Sequence, residues 1–201
     1  MSKHCSQLGF IIIGLIFFLT NATRLHAMEK NPVVTIKTEL GDITLEIYLD
    51  KAPVTAANFL QYVHKHRFAG AEFYRVVKAD NQPLSPIKIA VIQGGLNEEN
   101  PTPNLPAISH ETTAQTGIHH LDGTISMARD KPGSASSEFF ICVGDQPELD
   151  FGGKRNPDGQ GFAAFGKVTA GMETVHRIHQ SPAKEQTLTP VIKISGITEI
   201  K

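Results

Sequence analysis

Histidine and cysteine are the side chains here best suited to chemistry unaided, and neither is arranged for it. The chain holds nine histidines, with three groupings that stand out: His64 with His66, His110 beside Glu111, and His119-His120. A zinc site needs three or four ligands at defined spacings, and no three-ligand spacing runs through these groups, so no metal is expected. His64 and His66 follow a segment of helical periodicity, where a cation favours the negative end of the helix dipole. Of the two cysteines, Cys142 lies in the apolar run Phe139-Phe140-Ile141-Cys142-Val143. That setting suits a small buried hydrophobe rather than a nucleophile. Arg75, taken singly, reads as a surface arginine beside a strand.

The elements that must position these residues are mostly short strands. Val33 to Thr38 is rich in β-formers, and Ile43 to Leu49 alternates apolar and polar residues, placing Ile43, Leu45, Ile47 and Leu49 on one face. Gly41-Asp42 between them predicts a hairpin. Pro53 opens a helix running to Val63, with Ala57, Leu60 and Val63 along its apolar stripe. Further strands are expected at Phe73–Val77, Ala90–Ile92, Ile125–Ala128, Glu138–Val143, Phe165–Val168 and Val191–Ile200, with a short second helix at Met172–His179. Lys78–Lys88 has two prolines and no period, and is expected to be an exposed loop. Many short strands with Gly-rich turns leave a closed barrel or a sandwich open on pattern alone.

Composition narrows the classes of function. The chain has 201 residues and a formal net charge of −1, with no dense Lys/Arg block, so a nucleic-acid partner is not expected. Trp is absent, which removes the aromatic platform most useful to a sugar-binding sandwich. The first 27 residues differ from the rest. Lys3 and His4 precede the apolar run Leu8–Leu19, and Leu25-His26-Ala27 ends a polar stretch, the layout of a secretory signal. The run holds 12 residues, fewer than the roughly 20 of a spanning helix. A signal segment 1–27 is therefore expected, cleaved after Ala27 or, second, near Ala22, with an uncleaved anchor as the alternative. The mature domain, 28–201, is expected to be exported, to the periplasm, with no membrane span after cleavage. With Cys142 its only thiol, it can form no internal disulfide and must rest on its hydrophobic core.

Four segments in order carry a resemblance. They are Phe73-Tyr74-Arg75-Val76-Val77, Gln93-Gly94-Gly95, Gly123 to Arg129 (GTISMAR) with Ser137-Glu138-Phe139-Phe140-Ile141, and Phe165 to Met172 (FGKVTAGM). Together they resemble the cyclophilin family from about Asn31 to Ile200. The resemblance implies an all-β fold, an eight-stranded antiparallel barrel closed by two α-helices. It also implies a peptidyl-prolyl cis-trans isomerase of the bacterial exported type, acting on proline-containing polypeptides as a monomer, without cofactor or metal.

In that reading Arg75 matches the catalytic arginine and Gln93 the glutamine beside it. Phe140 matches the floor of the proline pocket, Leu149 a wall, and Ala128 and Arg129 the backbone that holds the residue before proline. Phe139 and Phe140 alternate in a strand, so one is expected in the core and the other in the pocket. His120 falls at a structural histidine of the family. Three positions depart from the pattern. The connection from the arginine strand to the glutamine strand is longer, and Ala90-Val91 replaces a Phe-Met pair, so one wall is expected either to be thinner or to be completed by the inserted loop through Ile87 or Leu84. Glu148 stands where cyclosporin-sensitive members carry tryptophan, implying weak cyclosporin binding. Phe162 aligns where the family has histidine or an aromatic residue. Val91, Glu148 and Phe162 thus join the expected substrate-binding set. The rival reading is a cyclophilin-like module that binds proline-containing segments with little turnover.

Overall fold

Strict alternation in the second strand of the first hairpin gives that strand one dry face, whereas the first buries Val34, Thr35 and Ile36 in succession. β1 (Val33–Thr38) pairs antiparallel with β2 (Gly41–Ile47) from Val33 opposite Glu46 to Thr38 opposite Gly41. Ile43, Leu45 and Ile47 are buried while Asp42 is exposed. The structure, a computed structural model, describes residues 31–97 and 99–200. The expected signal segment 1–27 lies outside the described residues.

The remaining strands are β3 (Glu72–Val77), β4 (Val91–Gly95), β5 (Thr124–Met127), β6 (Phe139–Cys142), β7 (Ala163–Ala170), β8 (Ala183–Lys184) and β9 (Thr187–Ile200). Their hydrogen-bonded order is β1-β2-β7-β5-β6-β4-β3-β9, and β9 returns to β1. All pairings are antiparallel, so eight strands form a closed barrel without free edges. β8 is a two-residue appendage on β9, too short for any periodicity to announce it.

The two expected helices are present as α1 (Pro53–His64) and α3 (Met172–Gln180). Between them lies a single turn, α2 (Thr113–Thr116), whose Thr112 and Gln115 form a reciprocal cap. α1 packs against β7 and β9, and α3 against β2, β3 and β4. Phe59 of α1 is the aromatic hub of the interior, with ring centroids 5.2 Å from Phe165, 5.4 Å from Phe68 and 5.7 Å from Phe139. The first turn of α1 carries no acidic residue. Glu111 supplies the missing anion from a distant segment, accepting from the Val54 and Thr55 amides at 3.1 and 2.7 Å and from the Thr55 hydroxyl at 2.7 Å. Its carboxylate is thus a helix cap.

The Lys78–Lys88 segment is more ordered than its composition suggests. It opens with a 3₁₀ turn, Ala79–Asn81, and then buries Gln82, which donates to the Lys78 and Ile89 carbonyls at 2.7 and 2.8 Å. An amide side chain with two backbone acceptors holds the ends of the loop together. Its tip is the most open part, with Leu84 96% exposed. Leu84 borders a separate hollow with Gln82, Pro83 and Arg155, and Ile87, half-buried, accepts from Arg155 through its carbonyl.

Candidate active site

A single row of residues crosses four neighbouring strands. Arg75 of β3 lies opposite Gln93 of β4, Gln93 opposite Phe140 of β6, and Phe140 opposite Ser126 of β5. Side chains alternate along each strand, so the neighbours Val76, Ile92, Phe139 and Ile141 point into the barrel core. The row itself lies on the other face. There Phe140 joins a second, smaller apolar cluster with Val77, Ile89, Val91, Cys142 and Leu149, with Ala128 and Phe162 packed against it.

These groups border an open cleft of ≈ 490 Å³. Its floor is Phe140, and its walls include Ile89, Val91, Leu149, Ala128 and Phe162. The Phe140 and Phe162 rings meet edge to face at 5.2 Å and 86°. Ile89, not Ile87 or Leu84, fills the wall beside Val91, because the residues joining the loop to β4 turn back under Gln82. Glu148 is the one member of the expected set that does not line this cleft. It sits in the 3₁₀ turn Pro147–Leu149, accepts from the Lys154 amide at 2.8 Å, and borders a separate hollow beside His119 and Phe151. Its chain neighbour Leu149 takes the inward position, and Glu148 points away.

Arg75 is half-buried at the cleft edge and heavily constrained. Nη1 donates to Gln93 Oε1 at 2.7 Å, while Nε and Nη2 both donate to Gln186 Oε1, at 2.9 and 2.5 Å. Burial pushes the guanidinium below its ordinary value, opposed by Tyr74 and Glu138 nearby. Guanidinium remains charged under such pressure. Gln93 in turn donates from Nε2 to Tyr74 Oη at 2.7 Å and to Glu138 Oε2 at 2.9 Å. Tyr74 donates to the same carboxylate oxygen at 2.5 Å. Burial, reinforced by Glu138, pushes the Tyr74 phenol well up, so it stays a neutral donor. A guanidinium has five N–H donors; three are committed to the glutamines, which leaves one hydrogen on each Nη for a ligand in the cleft.

Arg129 uses its side chain differently from its place in the sequence pattern. Nη1 and Nη2 grip Asp158 bidentately at 2.8 and 2.9 Å, and Nε and Nη2 donate to the Gly161 carbonyl at 2.9 and 2.6 Å. The side chain is 1% exposed and its guanidinium lies 5.2 Å from the Phe162 ring centroid. It fixes the 156–161 loop and with it Phe162, so only its backbone faces outward for pairing.

Behind the floor, Ser126, His120 and Asp150 form a chain in the order of a hydrolytic triad. Asp150 Oδ1 accepts from His120 Nδ1 at 2.6 Å, and Ser126 Oγ lies 3.0 Å from His120 Nε2. Ser126 is 0% exposed, so no substrate atom reaches its hydroxyl. The chain instead holds the imidazole, which stacks on Phe140 at 5.9 Å and 15°. Burial pushes the Asp150 carboxyl up, but hydrogen bonds from His120 and His119 outweigh it and leave it below the usual carboxylate range. Among the described residues no three His, Cys, Asp or Glu side chains cluster as a metal site.

Tyr74, Glu138, Ile89, Arg155 and Gln186 complete the site and were not singled out by sequence. Tyr74 and Glu138 lie within matched motifs, so they were within reach. Arg155 donates from Nη1 to Gln82 Oε1, Ser85 Oγ and the Ile87 carbonyl at 2.7–2.8 Å, a contact no local pattern announces.

Comparison with known proteins accords with this geometry. A family model described as cyclophilin type peptidyl-prolyl cis-trans isomerase/CLD matches residues 33–199. A peptidyl-prolyl cis-trans isomerase of Acinetobacter baylyi is 37% identical over 187 residues, covering 88% of this chain and 92% of its own. Peptidyl-prolyl cis-trans isomerase B of Escherichia coli is 31% identical over 174 residues, covering 81% and 99%. A crystal structure of a Cryptosporidium parvum cyclophilin type isomerase has the same fold, with a TM-score of 0.65 at 21% identity, covering 85% of this chain and 98% of that one.

Proposed function

The chain belongs to the cyclophilin-type peptidyl-prolyl cis-trans isomerase family, and from that premise we propose that it catalyses rotation about X-Pro bonds and assists the folding of exported proteins. The observation that carries the reading is Arg75, fixed by two glutamines with hydrogens to spare, at the edge of an apolar cleft floored by Phe140.

Amide resonance sets a rotation barrier of ~18–20 kcal/mol. Acceleration by about five decades requires roughly 7 kcal/mol, at ~1.4 kcal/mol per decade. As the bond twists, the prolyl nitrogen regains a lone pair, and a free Nη hydrogen of Arg75 donates to it. That bond exists mainly in the transition state, so it lowers the barrier rather than merely tightening binding. A charged hydrogen bond supplies ~1.5–3 kcal/mol. The remainder comes from the dry cleft, where Phe140, Val91, Ile89, Leu149 and Phe162 hold the proline ring while the preceding residue turns. Ala128 already donates its amide to the Glu138 carbonyl at 2.9 Å, so the Arg129 backbone is the partner for an added extended segment.

The binding-module alternative rests on Ala90-Val91 and Glu148. Ile89 and Val91 both line the cleft, which favours the enzyme. Cyclosporin binding is weak in this reading, since neither Glu148 nor a neighbouring side chain offers the indole that tryptophan would. The apolar leader Leu8–Leu19 and Ala27 support export, to the periplasm, of the mature domain 28–201, which in this reading acts as a monomer.

Refolding of a protein limited by a slow X-Pro phase tests the folding role. The isomerase accelerates that phase in proportion to its concentration, whereas a binding module leaves it unchanged or slows it. N-terminal sequencing of the exported protein is expected to start at Met28, and retention of the leader in full would refute export by cleavage.

A further inference from the structure

The closest partner of Arg75 is not a neighbour in any sheet row. β3 follows β9 in register at Glu72–Lys193 and Phe73–Ile192, and then its partner jumps, so that Arg75 faces Thr187. The jump brings the β8–β9 turn, Glu185-Gln186, alongside the catalytic strand. Three contacts clamp that turn. The Val76 amide donates to the Gln186 carbonyl at 2.9 Å, Asn81 Nδ2 donates to the Glu185 carbonyl at 2.9 Å, and Gln186 Nε2 donates to the Asn81 carbonyl at 3.1 Å. Glu185 holds a left-handed φ of 58°, a conformation that a non-glycine residue keeps only where its surroundings dictate it.

The Gln186 amide has one orientation that satisfies both sides. Arg75 has only donors and the Asn81 carbonyl only accepts, so Oε1 must face the guanidinium and Nε2 must face Asn81. In that orientation one oxygen accepts from both Nε and Nη2, a two-point grip that stops rotation of the guanidinium plane. Gln93 holds the third donor on Nη1. The acceptor is itself anchored on Asn81, in the 3₁₀ turn that begins the segment between β3 and β4.

We infer that Gln186 is a positioning residue for Arg75, and that the segment joining β3 to β4 serves the active site by holding Gln186 through Asn81. Gln186 touches no reacting atom. It fixes which two guanidinium hydrogens point into the cleft, so that they meet the prolyl nitrogen only as the bond twists. The inference rests on the isomerase reading above for its catalytic consequence, and on geometry alone for the state of the guanidinium.

The test compares purified wild-type protein with Gln186→Met, Gln186→Glu, Arg75→Ala and the double variant Arg75→Ala/Gln186→Met. Isomerisation of an Ala-Pro peptide and hydrogen exchange of the Arg75 Nε–H by NMR are both measured. Gln186→Met, which keeps length but loses the acceptor, is expected to lower kcat about tenfold with KM little changed. Gln186→Glu, which keeps the acceptor for Arg75 but loses the Nε2–H that the Asn81 carbonyl accepts, recovers only part of that loss. Adding Gln186→Met to Arg75→Ala causes no further fall. The Nε–H exchanges slowly in wild type and fast in Gln186→Met. Wild-type kcat with slow Nε–H exchange in Gln186→Met overturns the inference, as does an equal loss in the Arg75→Ala background. Background activity in wild type sinks the isomerase reading instead. Exchange of the Nε–H then decides alone: fast in Gln186→Met upholds the grip, slow refutes it. Gln186 lies in a half-exposed turn, and circular dichroism of Gln186→Glu controls for folding if Gln186→Met does not fold.

Discussion

Phe139 and Phe140 are adjacent in β6 and belong to different parts of the protein. Phe139 meets Phe59, Phe68 and Phe73 edge to face at 5.7–6.0 Å inside the barrel, while Phe140 floors the cleft. Phe139→Ala is expected to lower stability by about 3–5 kcal/mol, the usual loss for a buried phenylalanine, with activity per folded molecule retained. Phe140→Ala is expected to reduce kcat/KM by about tenfold or more, since the proline ring loses an aromatic surface whose full burial is worth ~1.5–3 kcal/mol. Urea unfolding beside a peptide assay separates them, and identical profiles for the two variants would contradict the assignment. Cys142 lies on the same strand. Burial, with smaller contributions from Asp150, Asp122 and Asp145, pushes its thiol well up. A maleimide at pH 8 should therefore label the mature domain 28–201 only on unfolding; rapid labelling of that domain in its native state would show the Cys142 thiol to be accessible. At this scale sequence was most informative, because Arg75, Gln93 and Phe140 each sit inside a local motif. Glu148 borders a different hollow because its turn sends Leu149 inward to the cleft.

The elements decide where those residues meet. Strand alternation and the Arg75–Gln93–Phe140–Ser126 row follow from register, and register follows from patterns visible along the chain. Gly95 shows how tightly it is set: at φ 125° a Cβ there would lie 2.5 Å from the Ser137 carbonyl oxygen, so β4 and the chain leading into β6 close on each other only at glycine. What was not legible depends on contacts between distant segments. The register jump in β3–β9 that delivers Gln186, the fold-back of Gln82 that makes Ile89 the wall, and the Glu111 cap on α1 leave no local signature. The Asp150 tie between the Pro147–Leu149 turn and His120 gives an element-scale prediction. Its folded carboxyl titrates below its unfolded value, so its stabilisation is present above the ordinary carboxylate value and is lost as pH falls through the depressed one. Thermal unfolding followed from neutral pH down to about pH 3 should show that acid-side loss in wild type. Asp150→Asn should be less stable at neutral pH and should flatten the acid limb; an unchanged limb would mean Asp150 makes no such contribution.

For the whole molecule, barrel closure through β1 and β9 removes every sheet edge from the eight-stranded ring, and the smaller apolar cluster on its outer face is the platform for the cleft. Closure, strand count and the two helices agree with the expected architecture, because short alternating strands with an unambiguous family pattern determine topology even where boundaries shift by a residue or two. Among the described residues no helix is long and apolar enough to cross a membrane. In the proposed function the outer-face cleft uses Arg75 to speed rotation of an X-Pro bond. Magnetisation-exchange NMR of an Ala-Pro peptide with a catalytic amount of the protein tests it most directly, because uncatalysed exchange takes tens to hundreds of seconds. Wild type is predicted to bring cis–trans exchange into the measurable range, and Arg75→Ala, folded by circular dichroism, to reduce the rate by about one to two orders of magnitude. Exchange at the uncatalysed rate with wild type, or equal rates for the two proteins, would contradict it.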